Sequence, residues 1–213
     1  MLPESHHFEV VKTTRYFKLG PELNDHSRVL IALHGYGQLP QYFLKRFEPL
    51  VALGWTIIAP EGLHRFYTEG TGGRVGASWM TKEDRLTDMM DYVRYLDGLA
   101  AHLDLTHRKP ALLGFSQGVA TAARWASLGN VKFSRLLFWA GVFPPDLNWD
   151  SEIQPLSSTP IDVALGDSDP FFDAALLKDT ASLLEAHGIP YRNHTFEGGH
   201  FVDSNLLTEL LSK

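Results

Sequence analysis

Five residues, Gly114-Phe115-Ser116-Gln117-Gly118, follow the apolar run Ala111-Leu112-Leu113 and precede Val119-Ala120-Thr121-Ala122-Ala123-Arg124-Trp125, which reads as a helix. A serine in a G-x-S-x-G turn between strand and helix is lifted clear of the sheet edge, and the flanking glycines let the two elements pass closely. Ser116 is therefore a candidate nucleophile. The helix after it points unpaired N–H groups and the positive end of its dipole at any oxyanion formed when the serine attacks a carbonyl; the Gln117 N–H is the natural first donor.

A serine hydroxyl is almost never ionised near neutrality, so it needs a general base, and an imidazole base needs an acid that fixes its tautomer. After a nucleophile on a strand–turn–helix, these partners follow in the order Ser, Asp or Glu, His. The chain offers Gly166-Asp167-Ser168-Asp169-Pro170 after an apolar run ending at Leu165, then Glu197-Gly198-Gly199-His200-Phe201 after a run ending at Phe196. His200 follows two glycines, which suits a side chain projected from a loop, whereas His194 falls mid-strand. Asp167 and Asp169 both remain open as the acid, and either also suits a turn or a helix cap. His34-Gly35-Tyr36-Gly37 follows Val29-Leu30-Ile31-Ala32-Leu33 and supplies a second oxyanion donor, the Tyr36 N–H, by analogy with the glycine-containing turn of this fold. His34 itself reads as a structural ring, with no carboxylate or histidine at metal-ligand spacing beside it. Together these residue types perform acyl transfer without a cofactor or metal.

The elements that must position them alternate. Residues 8–19 read as an edge strand, rich in β-branched and aromatic residues. The apolar runs 29–33, 55–59, 111–113 and 136–140 read as strands covered on both faces, as does 161–165 despite Asp162, and 191–196 reads as a last strand. Helical spacing appears over 40–53, split by Pro49, and after a capping box at Thr81-Lys82-Glu83-Asp84, with Leu86, Met89, Met90, Val93, Leu96, Ala100 and Leu103 on one face. It recurs over 171–186, ended by His187-Gly188, and at Leu206, Leu207, Leu210 and Leu211. Strands alternating with helices imply an α/β fold with a mostly parallel sheet, and the candidate residues lie beyond carboxyl ends of strands, where open α/β sheets bind ligands. Residues 61–80 read as a long glycine-rich loop in which Phe66, Tyr67 and Trp79 line a shallow apolar groove, with a core position as the other reading of Trp79.

These pieces resemble the phospholipase/carboxylesterase branch of the α/β-hydrolases, the group that includes acyl-protein thioesterases and small bacterial carboxylesterases. The resemblance rests on His34-Gly35-Tyr36-Gly37, Gly114-Phe115-Ser116-Gln117-Gly118, Gly166-Asp167-Ser168-Asp169-Pro170 and His200, with the order of strands agreeing over nearly the whole chain. It implies a Ser116, His200, Asp169 triad, because the family's acid is the aspartate before proline. It also implies a serine hydrolase cleaving carboxylic esters, and thioesters, through an acyl-enzyme. Gln38 stands where the family usually has Asp, Val119 where it has a second glycine, and Trp79-Met80-Thr81 where it has W-F-D; none of the three touches the triad. A peptidase or lactonase would use the same triad, and a catalytically silent binding protein would keep the fold, although the full Ser, Asp, His set argues against silence.

Composition sets the outer bounds. At 213 residues, with 44% hydrophobic and 21% charged residues, the chain suits one globular domain over 1–213. A formal net charge of −6 and the lack of a basic run argue against a nucleic-acid partner. The chain has no cysteine, hence no disulfide and no thiolate nucleophile. The N-terminal residues lack the basic and apolar regions of a secretory signal, and no apolar run approaches the ~18 residues of a membrane span, so a cytoplasmic protein acting on a small-molecule acyl ester is expected. Residues 141–160 have neither the length nor the periodicity of a helical cap, which leaves the site open from above.

Overall fold

Apolar runs bounded by turn residues become the strands of a seven-stranded sheet in the computed structural model, which describes residues 3–148, 152–171 and 174–212. In chain order the elements are β1 (Tyr16–Leu19), β2 (Arg28–Leu33), α1 (Pro40–Phe43), a 3₁₀ turn (Leu44–Phe47), α2 (Glu48–Val51) and β3 (Trp55–Pro60). Then come β4 (His64–Glu69), β5 (Gly72–Ser78), α3 (Arg85–His102), β6 (Ala111–Phe115), α4 (Gln117–Leu128), β7 (Arg135–Trp139) and α5 (Gln154–Ser157). The last are β8 (Ile161–Gly166), α6 (Ala174–Ala186), β9 (Tyr191–Phe196) and α7 (Ser204–Leu211). The sheet order is β1-β3-β2-β6-β7-β8-β9, with β1 antiparallel and every other pairing parallel. This is the mostly parallel, doubly covered sheet expected from the sequence, in a single domain.

The pleat divides the core. Along β2, Val29, Ile31 and Leu33 face a cluster with Tyr92, Val93 and Leu96 of α3, Ala122 and Trp125 of α4, and Leu184 of α6. Leu30 and Ala32 face the other cluster, with Phe43, Phe47 and Leu50 from the α1 to α2 segment and Leu207, Leu210 and Leu211 of α7. Each of these large side chains, fully buried, contributes about 1.5–3 kcal/mol. Alternation along a strand covered on both sides explains why the sequence shows unbroken apolar runs.

Four expectations need correction. The edge strand spans only Tyr16–Leu19, because Tyr16 pairs with Pro60, the last residue of β3, and no partner strand continues beyond it. Residues 61–80 are not a loop: β4 and β5 form an antiparallel hairpin, His64 opposite Ser78 and Phe66 opposite Gly76, with a register shift between Tyr67 and Glu69. Its glycines hid the alternation, but Gly70, at φ +59°, supplies the left-handed turn that closes the hairpin. The capping box does not form. Thr81 Oγ1 instead accepts from the Glu83 N–H, and α3 begins at Arg85 behind Asp84, whose φ is +50°. The buried stripe of α3 is accordingly Met89, Tyr92, Val93, Leu96 and Ala100, while Leu86 and Met90 are exposed.

Other boundaries follow the sequence more closely. Pro49 splits residues 40–53 into two short helices joined by the 3₁₀ turn. The helix expected over 171–186 is described from Ala174, residues 172 and 173 lying outside the described residues. It ends as expected: Gly188 has φ +64°, its N–H reaches Glu185 O, and the Ile189 N–H reaches Leu184 O. Between β7 and β8 the described residues hold one helical turn, α5, and no cap. Among the described residues no helix is long and apolar enough to cross a membrane.

Candidate active site

Ser116 sits between β6 and α4 with φ 54° and ψ −118°, outside the regions that L residues ordinarily occupy. Close packing on both sides enforces this. A Cβ on Gly114 would run into the Gly118 carbonyl, and one on Gly118 into the Leu33 carbonyl, so only glycine lets α4 cross the ends of β6 and β2 at this distance. The Ser116 N–H is tied to Trp139 O of β7 at 2.9 Å. The strained turn is thus held from three strands.

His200 lies on the loop after β9. Its Nδ1 is 2.8 Å from Asp169 Oδ2, and the Asp169 side chain is fully buried. The other Asp169 oxygen accepts from the Phe171 N–H at 2.9 Å. The imidazole is flanked by the Phe115 ring, its centroid 4.8 Å away, and by the Phe171 ring at 4.9 Å. Phe115 immediately precedes Ser116, so serine, imidazole and carboxylate share one rim of the sheet. Asp167 meets a different partner: its Oδ1 accepts from the Gly198 N–H at 3.0 Å and braces the loop that carries His200.

The turn after β2 packs on the same rim, a Cβ on Gly35 falling 3.1 Å from Ser116 Cβ. The Gly35 N–H donates to Gln38 Oε1 and the Gly37 N–H to Ala77 O, while the Tyr36 N–H has no acceptor among the described residues. The Gln117 N–H, in the first turn of α4, also lacks one. Gln38, where the resemblance leads one to expect Asp, thus shapes this turn through Gly35. The Gln117 side chain fastens the end of the hairpin to the nucleophile turn, its Oε1 accepting from the Trp79 N–H at 3.1 Å and its Nε2 donating to Met80 O at 2.8 Å.

His34 is fully buried. Its Nε2 accepts from the Gly62 N–H at 3.0 Å, so its Nδ1 carries the proton donated to Gly35 O. Burial lowers its pKa to about 4 and keeps the ring neutral. Trp79 is fully buried against this ring and donates from Nε1 to His34 O at 2.8 Å. It is core and lines no groove, a correction to its place beside Phe66 and Tyr67. Phe66 packs on Tyr36, with ring centroids 5.0 Å apart, and Tyr67 is half exposed on the outer hairpin. Neither lines the cavity beside His200.

That cavity is an open groove of about 720 Å³. His200, Phe115, Phe201 and Val202 form one part, Gln38, Leu39, Tyr42, Phe43 and Arg46 another, and Arg74 and Val75 of β5 a third. Most of this lining was missed in the sequence, although the spacing of Tyr42 and Arg46 held a signal: both are exposed, four residues apart, while Phe43 and Phe47 between and after them go to the core. Among the described residues no group of three or more His, Asp or Glu side chains gathers to hold a metal ion.

The phospholipase/carboxylesterase family model matches residues 19–212. The chain belongs to that family. No curated protein matches the sequence. Among solved structures the chain resembles a carboxylesterase from Mesorhizobium loti at 16% identity and TM-score 0.73, covering 93% of this chain and 94% of the other. Zea mays acyl-protein thioesterase 2 is similar at 20% identity and TM-score 0.70, with 93% and 97% covered, and the Bacillus cereus carboxylesterase at 17% and 0.69, with 92% of each covered. At such identities the likeness speaks for the shared fold, and the family for an esterase-type hydrolase.

Proposed function

We propose that the protein is a serine esterase that hydrolyses small carboxylic esters, and thioesters, through a Ser116-His200-Asp169 triad. The observation that carries the reading is the Asp169–His200 hydrogen bond on the rim that also holds Ser116 in its strained turn. With Nδ1 turned to Asp169, Nε2 is the nitrogen that takes the Ser116 proton as Oγ attacks the acyl carbon. The Tyr36 and Gln117 N–H groups, without acceptors among the described residues, receive the oxyanion. The imidazolium then returns its proton to the departing alkoxide or thiolate, leaving an acyl-Ser116 ester. Water, deprotonated by the same nitrogen, cleaves that ester to the free acid and restores Ser116. Asp169 holds the tautomer throughout and stabilises the charged ring.

The groove supports small substrates, since no cap covers it among the described residues and its apolar walls are supplied by Leu39, Phe43, Val75, Phe115 and Val202 within about 720 Å³. The test is direct. A fluorophosphonate probe should label the protein at Ser116, and a panel of ester, thioester and amide substrates should show ester turnover that Ser116→Ala abolishes. Absence of labelling together with absence of ester turnover would overturn the reading.

A further inference from the structure

Among the described residues the only charged side chains lining the groove, His200 apart, are Arg46 and Arg74. They come from unrelated elements, the 3₁₀ turn after α1 and strand β5. Among the described residues no carboxylate joins them there, although the chain carries 25 Asp and Glu against 19 Lys and Arg. Other arginines, such as Arg15, Arg94, Arg124 and Arg135, have carboxylate partners. Among the described residues Arg46 and Arg74 have none within ion-pairing distance. Both are anchored close to their backbones. The Arg46 guanidinium lies 4.9 Å from the Phe201 ring, beside His200, and the Arg46 carbonyl accepts from Ser204 Oγ at 2.8 Å. The Arg74 carbonyl accepts from Thr68 Oγ1 at 3.0 Å across the hairpin.

Two guanidinium groups in a concave site where no described residue brings a carboxylate, on an acidic protein, create a local positive potential where the rest of the surface repels anions. Guanidinium also matches a carboxylate in shape, offering paired N–H donors. We propose that this groove selects esters bearing a second, anionic group, a carboxylate a few bonds from the scissile carbonyl, with Arg46 and Arg74 as specificity-determining residues. The proposal rests on the esterase reading above. It names the substrate class of that site: half-esters of dicarboxylic acids or esters of hydroxy acids, depending on whether the charge lies on the acyl or the alcohol side.

Two matched pairs separate these sources: 4-nitrophenyl hemiglutarate against its methyl ester, and 4-acetoxybenzoate against its methyl ester. In at least one pair the charged member should show a kcat/KM about tenfold higher, the size expected for partly screened charges in an open groove. That ratio should shrink as salt is raised, and should fall toward one in Arg46→Gln, Arg74→Gln and the double variant. A preference for the neutral ester in both pairs, or a charged preference that survives the double variant, overturns the proposal. If no ester of any kind is hydrolysed, the esterase reading fails separately. Calorimetric affinities of Ser116→Ala for hemiglutarate and for its methyl ester then decide: tighter binding of the charged ester supports the arginines, and equal affinities overturn them.

Discussion

Two aspartate–histidine pairs join the β8 and β9 segments, one from near the start of β8 to the middle of β9 and one past the carboxyl ends of both strands. Near the start of β8, Asp162 Oδ1 meets His194 Nε2 at 2.7 Å; just past its end, Asp169 Oδ2 meets His200 Nδ1 at 2.8 Å. By distance alone the two are equivalent. Their surroundings differ. Asp162 is also engaged by Arg135 Nε at 2.5 Å and Arg192 Nε at 3.0 Å, and although burial pushes its pKa up, the hydrogen bonds from Arg135 and His194 and the arginine charge hold it below the ordinary carboxylate range. Asp169 instead accepts from a backbone N–H, and its histidine stands between two aromatic rings next to a strained serine. What separates the two pairs is the end of the sheet each occupies: the amino-terminal part of the parallel strands carries an ion cluster here, the carboxyl-terminal ends an open groove, and the proposed triad lies at the groove.

The sharpest way to break this contrast is to delete each histidine. His200→Ala should lower kcat by about 10⁴ to 10⁶, as should Ser116→Ala, and the two losses should not add, because they act as one unit. His194→Ala should leave kcat within a few-fold. Steady-state kinetics on a neutral 4-nitrophenyl ester decides, and comparable losses from the two histidine variants would erase the distinction. The acids should separate next. Asp169→Asn is expected to reduce kcat by about 10² to 10⁴ while the protein stays folded, and Asp167→Asn much less. Asp162→Asn should spare turnover but cost about 1–3 kcal/mol in urea denaturation, since it takes the carboxylate from the partly buried Arg135, the other partner, Arg192, being exposed.

His34 offers a third, smaller contrast, an imidazole kept neutral by burial even though the charge of the buried Glu61 nearby favours the protonated ring. Its pKa falls from 6.5 to about 4 on folding. The unfolded chain therefore binds the extra proton first as pH drops, so this contribution to stability is complete above pH ~6.5 and is lost progressively toward pH ~4, about 3 kcal/mol in all. Urea midpoints across that window should show the slope, and His34→Gln, though less stable throughout, should flatten it. The smallest effect concerns the groove. For neutral 4-nitrophenyl esters kcat/KM should climb over short acyl chains and level off by about eight carbons, each buried methylene contributing about 0.8 kcal/mol. Val75→Ala should weaken the climb by about threefold; a rise continuing to palmitoyl esters would require a deep channel in place of this groove.

Local sequence determined a good deal of this molecule. Short continuous apolar runs bounded by turn residues fit strands covered on both faces, and G-x-S-x-G between such a run and a helical stretch fits a turn whose glycines keep Cβ atoms out of a close crossing; both signals are written in neighbouring residues. The positions of Ser116, His200 and the loop of Asp167 and Asp169 were legible for the same reason. What neighbouring residues do not encode is which groups from distant segments meet. Asp167 and Asp169 are alike as residue types, and only the path of the β9 loop turns one to a backbone N–H and the other to the imidazole. Trp79 reads from the sequence as a groove wall, with core as the other reading, and only its bonds to His34 O and Gln117 show it to be core. The hairpin is hidden in glycine-rich text because its glycines break the alternation, and the bonds that fix its edge come from the distant Gly37 and Gln38. Arg46 and Arg74, 28 positions apart in the chain, acquire a shared meaning only where folding sets them in one groove that no described carboxylate lines.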